Sequence, residues 1–330
     1  IGKDAGGGTW SNNAASHYNI GIGNNAMDAN MDSAEANISV GHDSLGALVG
    51  GHDNIAIGKG SGISIQDGDS NILLGASAGD ALADTDNNVV IGVGAFGVST
   101  NGHENVVIGT SAGDDATDVG LAVIIGNGAG SGALTNAADG SVLIGASAGA
   151  ALTTGADNTA VGELALNALT IGAGNVAVGT RAADVTVEGT YNTAIGSDAL
   201  ATNVNGDNNT AVGQGALFTF NSANEGKNTA IGSEAGGYVS TGQSNTFVGY
   251  RAGQCNSSTN LEGDNNTAIG DSAGLVLQGA AANNTYVGKN AGAVTTTGLG
   301  NVAIGSSSLG SHTSTNYNTA VGYQSMYSAA

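Results

Sequence analysis

Three-residue apolar segments recur along the chain, each followed by a glycine that we call the anchor glycine. The residue just before the anchor is Ile, Val or Leu in every copy, and β-branched residues dominate three before it. Side chains alternate between the faces of a strand, so these two positions share one face. The pattern predicts one short strand per copy and no helix. We expect this shared face to form the inside of the fold.

The anchor glycines repeat with a nearly constant period. The commonest spacing is 17 residues, with a few longer steps of 18 to 21. A fixed period with short insertions is typical of a solenoid, in which each coil buries its apolar face only by stacking on its neighbours. The nineteen anchors predict about nineteen coils, and they are Gly2, Gly23, Gly41, Gly58, Gly75, Gly92, Gly109, Gly126, Gly145, Gly162, Gly179, Gly196, Gly213, Gly232, Gly249, Gly270, Gly288, Gly305 and Gly322.

Composition changes this picture little. The chain has 330 residues with 58 glycines and no proline, yet 40% of it is hydrophobic, unlike a disordered segment. A solenoid grows by adding coils, so we expect one repeat domain over 1–330. Because the repeats begin and stop abruptly, we also expect a fragment of a longer fibre.

Charge excludes one class of partner. The formal net charge is −21, and only six residues are basic. Nucleic-acid binding needs a basic patch, so we expect no nucleic-acid partner. No apolar run reaches the length of a membrane span, which predicts no membrane insertion in this segment. The single cysteine, Cys255, excludes an internal disulfide framework.

A column of asparagines stands four residues before the anchors. It is Asn in sixteen of the eighteen complete copies, and the exceptions are Ala122 and Ser141. Stacked amides at one coil spacing can hydrogen-bond along the stack. We therefore predict a structural ladder, represented by Asn71, Asn88, Asn105, Asn192, Asn209 and Asn228.

The middle residue of each predicted strand, two before the anchor, should face the opposite way. It is Ala in most later copies but large and apolar in five consecutive earlier ones. On the outside of a charged chain, such a stripe indicates an interface between chains. The predicted interface residues are Leu73, Val90, Val107, Ile124 and Leu143.

The phrases Asn192-Thr193-Ala194-Ile195-Gly196 and Ala320-Val321-Gly322-Tyr323-Gln324-Ser325-Met326 resemble known repeats. They are similar to the head repeats of YadA-like trimeric autotransporter adhesins, and still closer to the repeats of phage tail-fibre-like proteins. The resemblance implies a left-handed parallel β-roll and a side-by-side homotrimer. It also implies a rigid extracellular rod, on a virion tail fibre or a cell surface, whose loops attach to a host glycan or protein.

Recognition by such a rod is expected in its insertions, since loops carry function on a rigid scaffold. The candidate receptor residues are Phe218, Phe220, Gln254, Asn256 and Asn260. The alternative is a passive spacer whose receptor-binding tip lies elsewhere.

Two other functions compete with adhesion. Polysaccharide-degrading tailspikes need paired carboxylates in a cleft, usually beside an aromatic platform, and no acidic pair here has one. We therefore expect no enzymatic activity. Ice-binding solenoids display ranks of threonine, and a partial threonine column runs from Thr159 to Thr285. We expect that column to face inward, which disfavours ice binding.

Four aspartates form the only candidate cation site. Asp67 and Asp84 share one column, and Asp69 and Asp86 share another two residues along. Stacking at about 4.8 Å per coil would gather four carboxylates on one edge. Calcium, with its loose oxygen coordination, is the ion that such a cluster would bind. The alternative is a loop edge whose carboxylates swing apart and are screened by water and salt.

Overall fold

The structure is a computed structural model that describes residues 1–8, 16–222, 225–255, 257–311 and 313–327. It consists of two compact units, Ile1–Leu164 and Ala165–Ala330. Each unit is a β-solenoid whose short strands pair in parallel with the strands of the neighbouring coils. The all-β solenoid prediction with its period of about 17 residues is confirmed, while handedness and the single domain over 1–330 stay predictions.

Each unit contributes nine of the strands found in the described residues. Those of the first unit are β1 (Ile20–Ile22), β2 (Ile38–Val40), β3 (Ile55–Ile57), β4 (Ile72–Leu74), β5 (Val89–Ile91), β6 (Val106–Ile108), β7 (Val123–Ile125), β8 (Val142–Ile144) and β9 (Thr159–Val161). Those of the second are β10 (Val176–Val178), β11 (Thr193–Ile195), β12 (Thr210–Val212), β13 (Thr229–Ile231), β14 (Thr246–Val248), β15 (Thr267–Ile269), β16 (Thr285–Val287), β17 (Val302–Ile304) and β18 (Thr319–Val321). One turn of 3-10 helix spans Asn136–Ala138.

Corners with left-handed backbone close each coil. In the coil of Gly213 the four residues with positive φ are Asn208, Gly213, Gly215 and Leu217. Three of these corners have φ near 50–65°, which other residues adopt at modest cost, but Gly213 has φ 129°. A Cβ added there would lie 2.5 Å from the carbonyl oxygen of Gly232. The anchor must therefore be glycine for its backbone angle and for coil spacing alike.

The predicted interface residues lie in the core, so the assignment of faces was wrong. Leu73, Val90, Val107, Ile124 and Leu143 are each fully buried within the single chain. They point into the coil because the strand-centre column packs against the residue four after the anchor and against the same columns of neighbouring coils. They therefore offer no surface to another chain.

The columns on either side of the strand centre face outward instead. Their side chains are half-exposed in most coils; Ile57, just before an anchor, is 43% exposed, and Ile72, three before one, is 36% exposed. No strand within the described residues contains a charged residue. Each unit thus presents an uncharged outward face, which we call the flanking columns.

Core volume is shared between two positions of each coil. Where the strand centre is large, as at Leu143, the residue four after the anchor is usually glycine, here Gly149. A Cβ on Gly149 would lie 2.7 Å from Cδ2 of Leu143. Where the strand centre is alanine, as at Ala194, a leucine such as Leu200 commonly fills the same space and is fully buried. Interiors are close-packed, so one position grows as the other shrinks.

The asparagine ladder is confirmed. Asn71 donates from Nδ2 to Oδ1 of Asn54 over 3.0 Å and to the carbonyl of Thr85 over 2.6 Å, and its backbone N–H also bonds Asn54 Oδ1 over 3.0 Å. The bond to the preceding Asn recurs at Asn88, Asn105, Asn192, Asn209 and Asn228. Each buried amide is thereby satisfied by the neighbouring coils, as a buried polar group must be.

The ladder stops in the first unit where the sequence departs from Asn. Oδ1 of Asn105 accepts only the backbone N–H of Ala122, at 2.9 Å, because alanine has no amide to continue the stack. In the next coil the buried Oγ of Ser141 has no hydrogen-bond partner among the described residues. These two coils therefore lack the amide side-chain bonds of the ladder.

Candidate functional site

The aspartates proposed for calcium have another role. Asp69 accepts the backbone N–H of His52 at 2.6 Å, and Asp86 accepts that of Asp69 at 2.7 Å. Asp84 likewise accepts the N–H of Asp67, at 3.3 Å. Within the part of the chain that the structure describes, no group of three or more His, Cys, Asp or Glu is placed to hold a metal ion. The calcium site was a wrong prediction, because the carboxylates of Asp69, Asp84 and Asp86 turn toward backbone donors of the preceding coil.

The same bond recurs six residues before other anchors. Asp139 accepts from the N–H of Gly120 at 2.8 Å, and Asp207 from that of Thr190 at 2.6 Å. Asp264 accepts from the N–H of Gln243 at 2.7 Å. This column is therefore a second, partial ladder that stabilises the coil edge through charge-assisted bonds.

The predicted receptor residues separate into three groups. Phe220 is fully buried, so its assignment to a contact loop was wrong: the ring fills the core beside Gly206 and Gly226. Phe218 is 38% exposed and lines a groove of the second unit together with Gln254. Asn260 lines a separate shallow depression, and Asn256 lies outside the described residues.

The groove of the second unit arises where side chains are missing from two stacked columns. The corner two residues after the anchor carries Arg181, Asp198, Gly215, Glu234 and Arg251 in successive coils. Gly215 interrupts this charged column. Three residues further along each coil, Gly237 interrupts a second column between Phe218 and Gln254. The two absent side chains leave a cavity of about 310 Å³.

Two ion-pair networks close the ends of the groove. Arg181 donates to Asp198 through Nε at 2.7 Å and Nη2 at 3.0 Å. At the other end Arg251 Nε and Gln254 Nε2 both donate to Oε2 of Glu234, each at 2.7 Å. The hydrogen bond from Arg181 lowers the pKa of Asp198, and Glu234 raises the pKa of Arg251. Each carboxylate of the lining is therefore paired with an arginine.

Polar and aromatic groups line the rest of the groove. Phe218 and Tyr238 supply two aromatic rings, and Gln214 adds an exposed amide. Gln214 Oε1 accepts from Ser233 at 3.3 Å, while its Nε2 has no hydrogen-bond partner in the described part of the chain. Such a mixture of rings and a few convergent polar groups is typical of small-molecule sites.

Sequence reasoning found Phe218 and Gln254 but missed the charged lining. Arg181, Asp198 and Glu234 stand in different coils, and only alignment on the anchors places them in one column. The glycine in the middle of that column was the available signal. At this position the row of long side chains is interrupted, which leaves space for a groove.

A scan against protein-family models found no match for this chain, and a search of curated proteins found none either. Among the described residues no helix has the length and hydrophobicity needed to cross a bilayer.

Proposed function

We propose that this chain is an extracellular fibre protein that associates with two further copies of itself and displays a binding groove for attachment to a host or surface. The observation that supports it is the pair of outward flanking columns, which contain only uncharged, mostly β-branched residues at regular coil spacing. The number three and the fibre setting come from the resemblance of the repeats.

A second copy of the chain fits this face better than an unrelated partner. The formal charge of −21 lies outside the strands, so the flanking columns form a neutral band on an acidic chain. Identical coil spacing lets each contact repeat along the band when two copies align. Large neutral faces on charged chains mark interaction surfaces.

The band is also large enough to be a functional surface. Nine three-residue strands at about 4.8 Å spacing cover roughly 430 Å² in each unit. This lies within the range of about 300–600 Å² of the largest apolar patch on a typical monomer, which is often functional. Association also covers the half-exposed Ile and Val side chains of every coil.

The groove and the insertions are the parts proposed to contact the host or surface, because binding residues commonly lie on the irregular parts of a regular scaffold. The fibre is proposed to be a phage tail fibre, and the alternative is the head of a cell-surface adhesin. A spacer without receptor contact is the remaining option.

Light scattering and an attachment assay test this function together. The expected molar mass is three times the chain mass of 31.6 kDa. The fluorescently labelled assembly should bind intact bacterial cells of a susceptible strain. A monomer at micromolar concentration would contradict the assembly, and an assembled rod that binds no cell of a broad panel would leave only the spacer.

One observation favours a second candidate, ice binding. The threonine column, including Thr193, Thr210 and Thr229, lies on the outward face and is half-exposed, contrary to the expectation that it faces inward. These threonines follow one another at constant register beside a column of Ile and Val. Thermal hysteresis measured on the chain decides between the two uses, since a face covered by other copies should show none.

A further inference from the structure

We propose that the groove between Arg181 and Gln254 binds one neutral sugar unit of a surface glycan. This inference rests on the proposed attachment function and assigns the ligand class of that site. The proposal follows from three properties of the lining: its unused hydrogen-bonding atoms, its charge balance and its aromatic surface.

The lining leaves both donors and acceptors unused. Glu234 accepts both of its bonds through Oε2, which leaves Oε1 facing no partner in the described residues. Gln254 donates through Nε2 and keeps Oε1 as an acceptor, and Gln214 keeps Nε2 as a donor. A sugar hydroxyl both donates and accepts, so a polyol can satisfy this mixed set.

The charge balance disfavours an ionic ligand. Both carboxylates of the lining are already bonded to arginine, Asp198 to Arg181 and Glu234 to Arg251. An anionic sugar would have to displace one of these bonds and approach a chain of net charge −21. A cationic ligand would compete with an arginine for its carboxylate. A neutral ligand keeps both pairs intact.

The rings and the cavity volume fit the same ligand class. Phe218 is 38% exposed and presents its ring to the groove, and Tyr238 adds a second ring and a hydroxyl. An exposed ring offers an apolar surface to the C–H face of a pyranose. The cavity of about 310 Å³ is at the small end of ligand pockets, roughly 300–1,000 Å³, and suits one or two rings.

The test fills the groove without removing any contact. In Gly215→Asn the new side chain enters at a left-handed corner, φ +64°, where the only heavy atom within 4 Å of its Cβ is Cγ of Glu234 at 3.9 Å. Asparagine already occupies the equivalent corner at Asn25 and Asn290. The matched control is Gly94→Asn in the first unit, at φ +61° with nothing within 4 Å.

Binding is read on an array of neutral, sialylated and sulfated oligosaccharides, followed by titration with the best neutral ligand. The parent and Gly94→Asn should bind a neutral glycan equally, and Gly215→Asn at least about tenfold more weakly. Phe218→Ala should also weaken binding while keeping the backbone carbonyl that accepts from Thr202 Oγ1 at 2.9 Å. Equal binding by Gly215→Asn, preference for the anionic glycans, or no neutral glycan bound at millimolar concentration would each overturn the proposal.

Molar mass measured on the same samples separates this inference from the proposed function. An assembled parent that attaches to cells but binds no neutral glycan refutes the sugar site and leaves the fibre intact. A parent that binds glycan as a monomer keeps the sugar site and refutes the assembly.

Discussion

Two stretches of the solenoid fill the same core with different residues. In the first unit, the strand centres Leu73 and Leu143 are large, and in their coils glycine stands four after the anchor, at Gly79 and Gly149. In the second unit, the strand centres Ala194 and Ala211 are small, and Leu200 and Leu217 fill the space from that later position. The coil therefore conserves its interior volume, and either of two positions can supply it.

In some coils both of these core positions are small, and a side chain from the neighbouring coil fills the space. Gly236 lies in a coil whose strand centre is Ala230, so both positions are small. The ring of Phe247 from the next coil occupies the space, with Cδ2 2.9 Å from a Cβ built on Gly236. Volume is thus balanced between neighbouring coils as well as within each one.

The largest expected effect lies at the anchor, which both units share. We expect Gly109→Ala and Gly213→Ala each to cost roughly 4 kcal/mol or more of unfolding free energy, because the added Cβ meets a carbonyl oxygen at 2.4 and 2.5 Å. Denaturant unfolding measures the loss. Gly94→Ala, with open space at its Cβ, serves as the control, and a similar loss there would contradict this view of the anchor.

The next largest effect tests whether the two core patterns are interchangeable. Leu143→Ala should cost about 2–5 kcal/mol as a cavity forms, and Gly149→Leu alone should clash with Leu143. The double variant gives this coil the arrangement of the Gly196 and Gly213 coils, an alanine at the strand centre and a leucine four after the anchor. It should recover roughly 1–3 kcal/mol relative to the sum of the single effects in chemical denaturation. Additive losses would mean that the two positions do not share one space.

The asparagine ladder is continuous around Asn209 and interrupted at Ala122 and Ser141, so its contribution to stability can be tested in both directions. Asn209→Ala should cost about 2 kcal/mol, because Oδ1 of Asn209 accepts from both N and Nδ2 of Asn228. In the interrupted stretch, Ala122→Asn combined with Ser141→Asn should add about 1 kcal/mol by continuing the stack. Thermal melting of the three proteins gives the comparison. A melting temperature below that of the parent for Ala122→Asn/Ser141→Asn would show that these coils lack room for amides.

The smallest effect concerns two aspartates with opposite pKa shifts. Desolvation by burial raises the pKa of Asp80, with repulsion from Asp114 adding to it, so its charge destabilises the fold at neutral pH. Asp80→Asn should raise the melting temperature slightly at pH 7. This gain should vanish as the pH falls through the raised pKa, when the parent carboxyl takes up a proton.

Asp198 is the matched control for that pH dependence. The hydrogen bond from Arg181 lowers its pKa, so its charge stabilises the fold above the ordinary value of 3.8. That stability is lost as the pH falls through the lowered pKa. Asp198→Asn should therefore be less stable than the parent at pH 7, and the same sign for both variants would contradict the assignment.

The sequence predicted the strands, the period and the ladder because each is a local or strictly repeated signal. It did not predict which face of a strand is buried. Both faces are apolar, so the alternation of side chains does not show which of them lies inside. In most strands only the middle residue enters the interior, where it packs against several buried corner residues of the coils. Val90 belongs to that interior, whereas its more conspicuous β-branched neighbours Val89 and Ile91 lie outside.

The candidate site was only partly predictable for a different reason. Phe218 stood out as an aromatic residue beside an insertion, but the groove exists because Gly215 and Gly237 lack side chains. A gap shows only after the coils are stacked in register. The aspartates misled in the opposite way: Asp69 and Asp86 share a column, yet each turns toward a backbone N–H and not toward a common ion.

Association through the flanking columns is the central claim, and the molar mass of one variant pair tests it most directly. Val106→Lys/Ile108→Lys places charges on the outward face of β6, and Ser77→Lys/Ser111→Lys places them at corners where Arg181 and Arg251 already stand in other coils. Both proteins should keep the β circular dichroism of the parent. Light scattering should find the strand variant monomeric and the corner variant at the trimeric mass expected for the parent. A strand variant that keeps the parent's mass would contradict that claim.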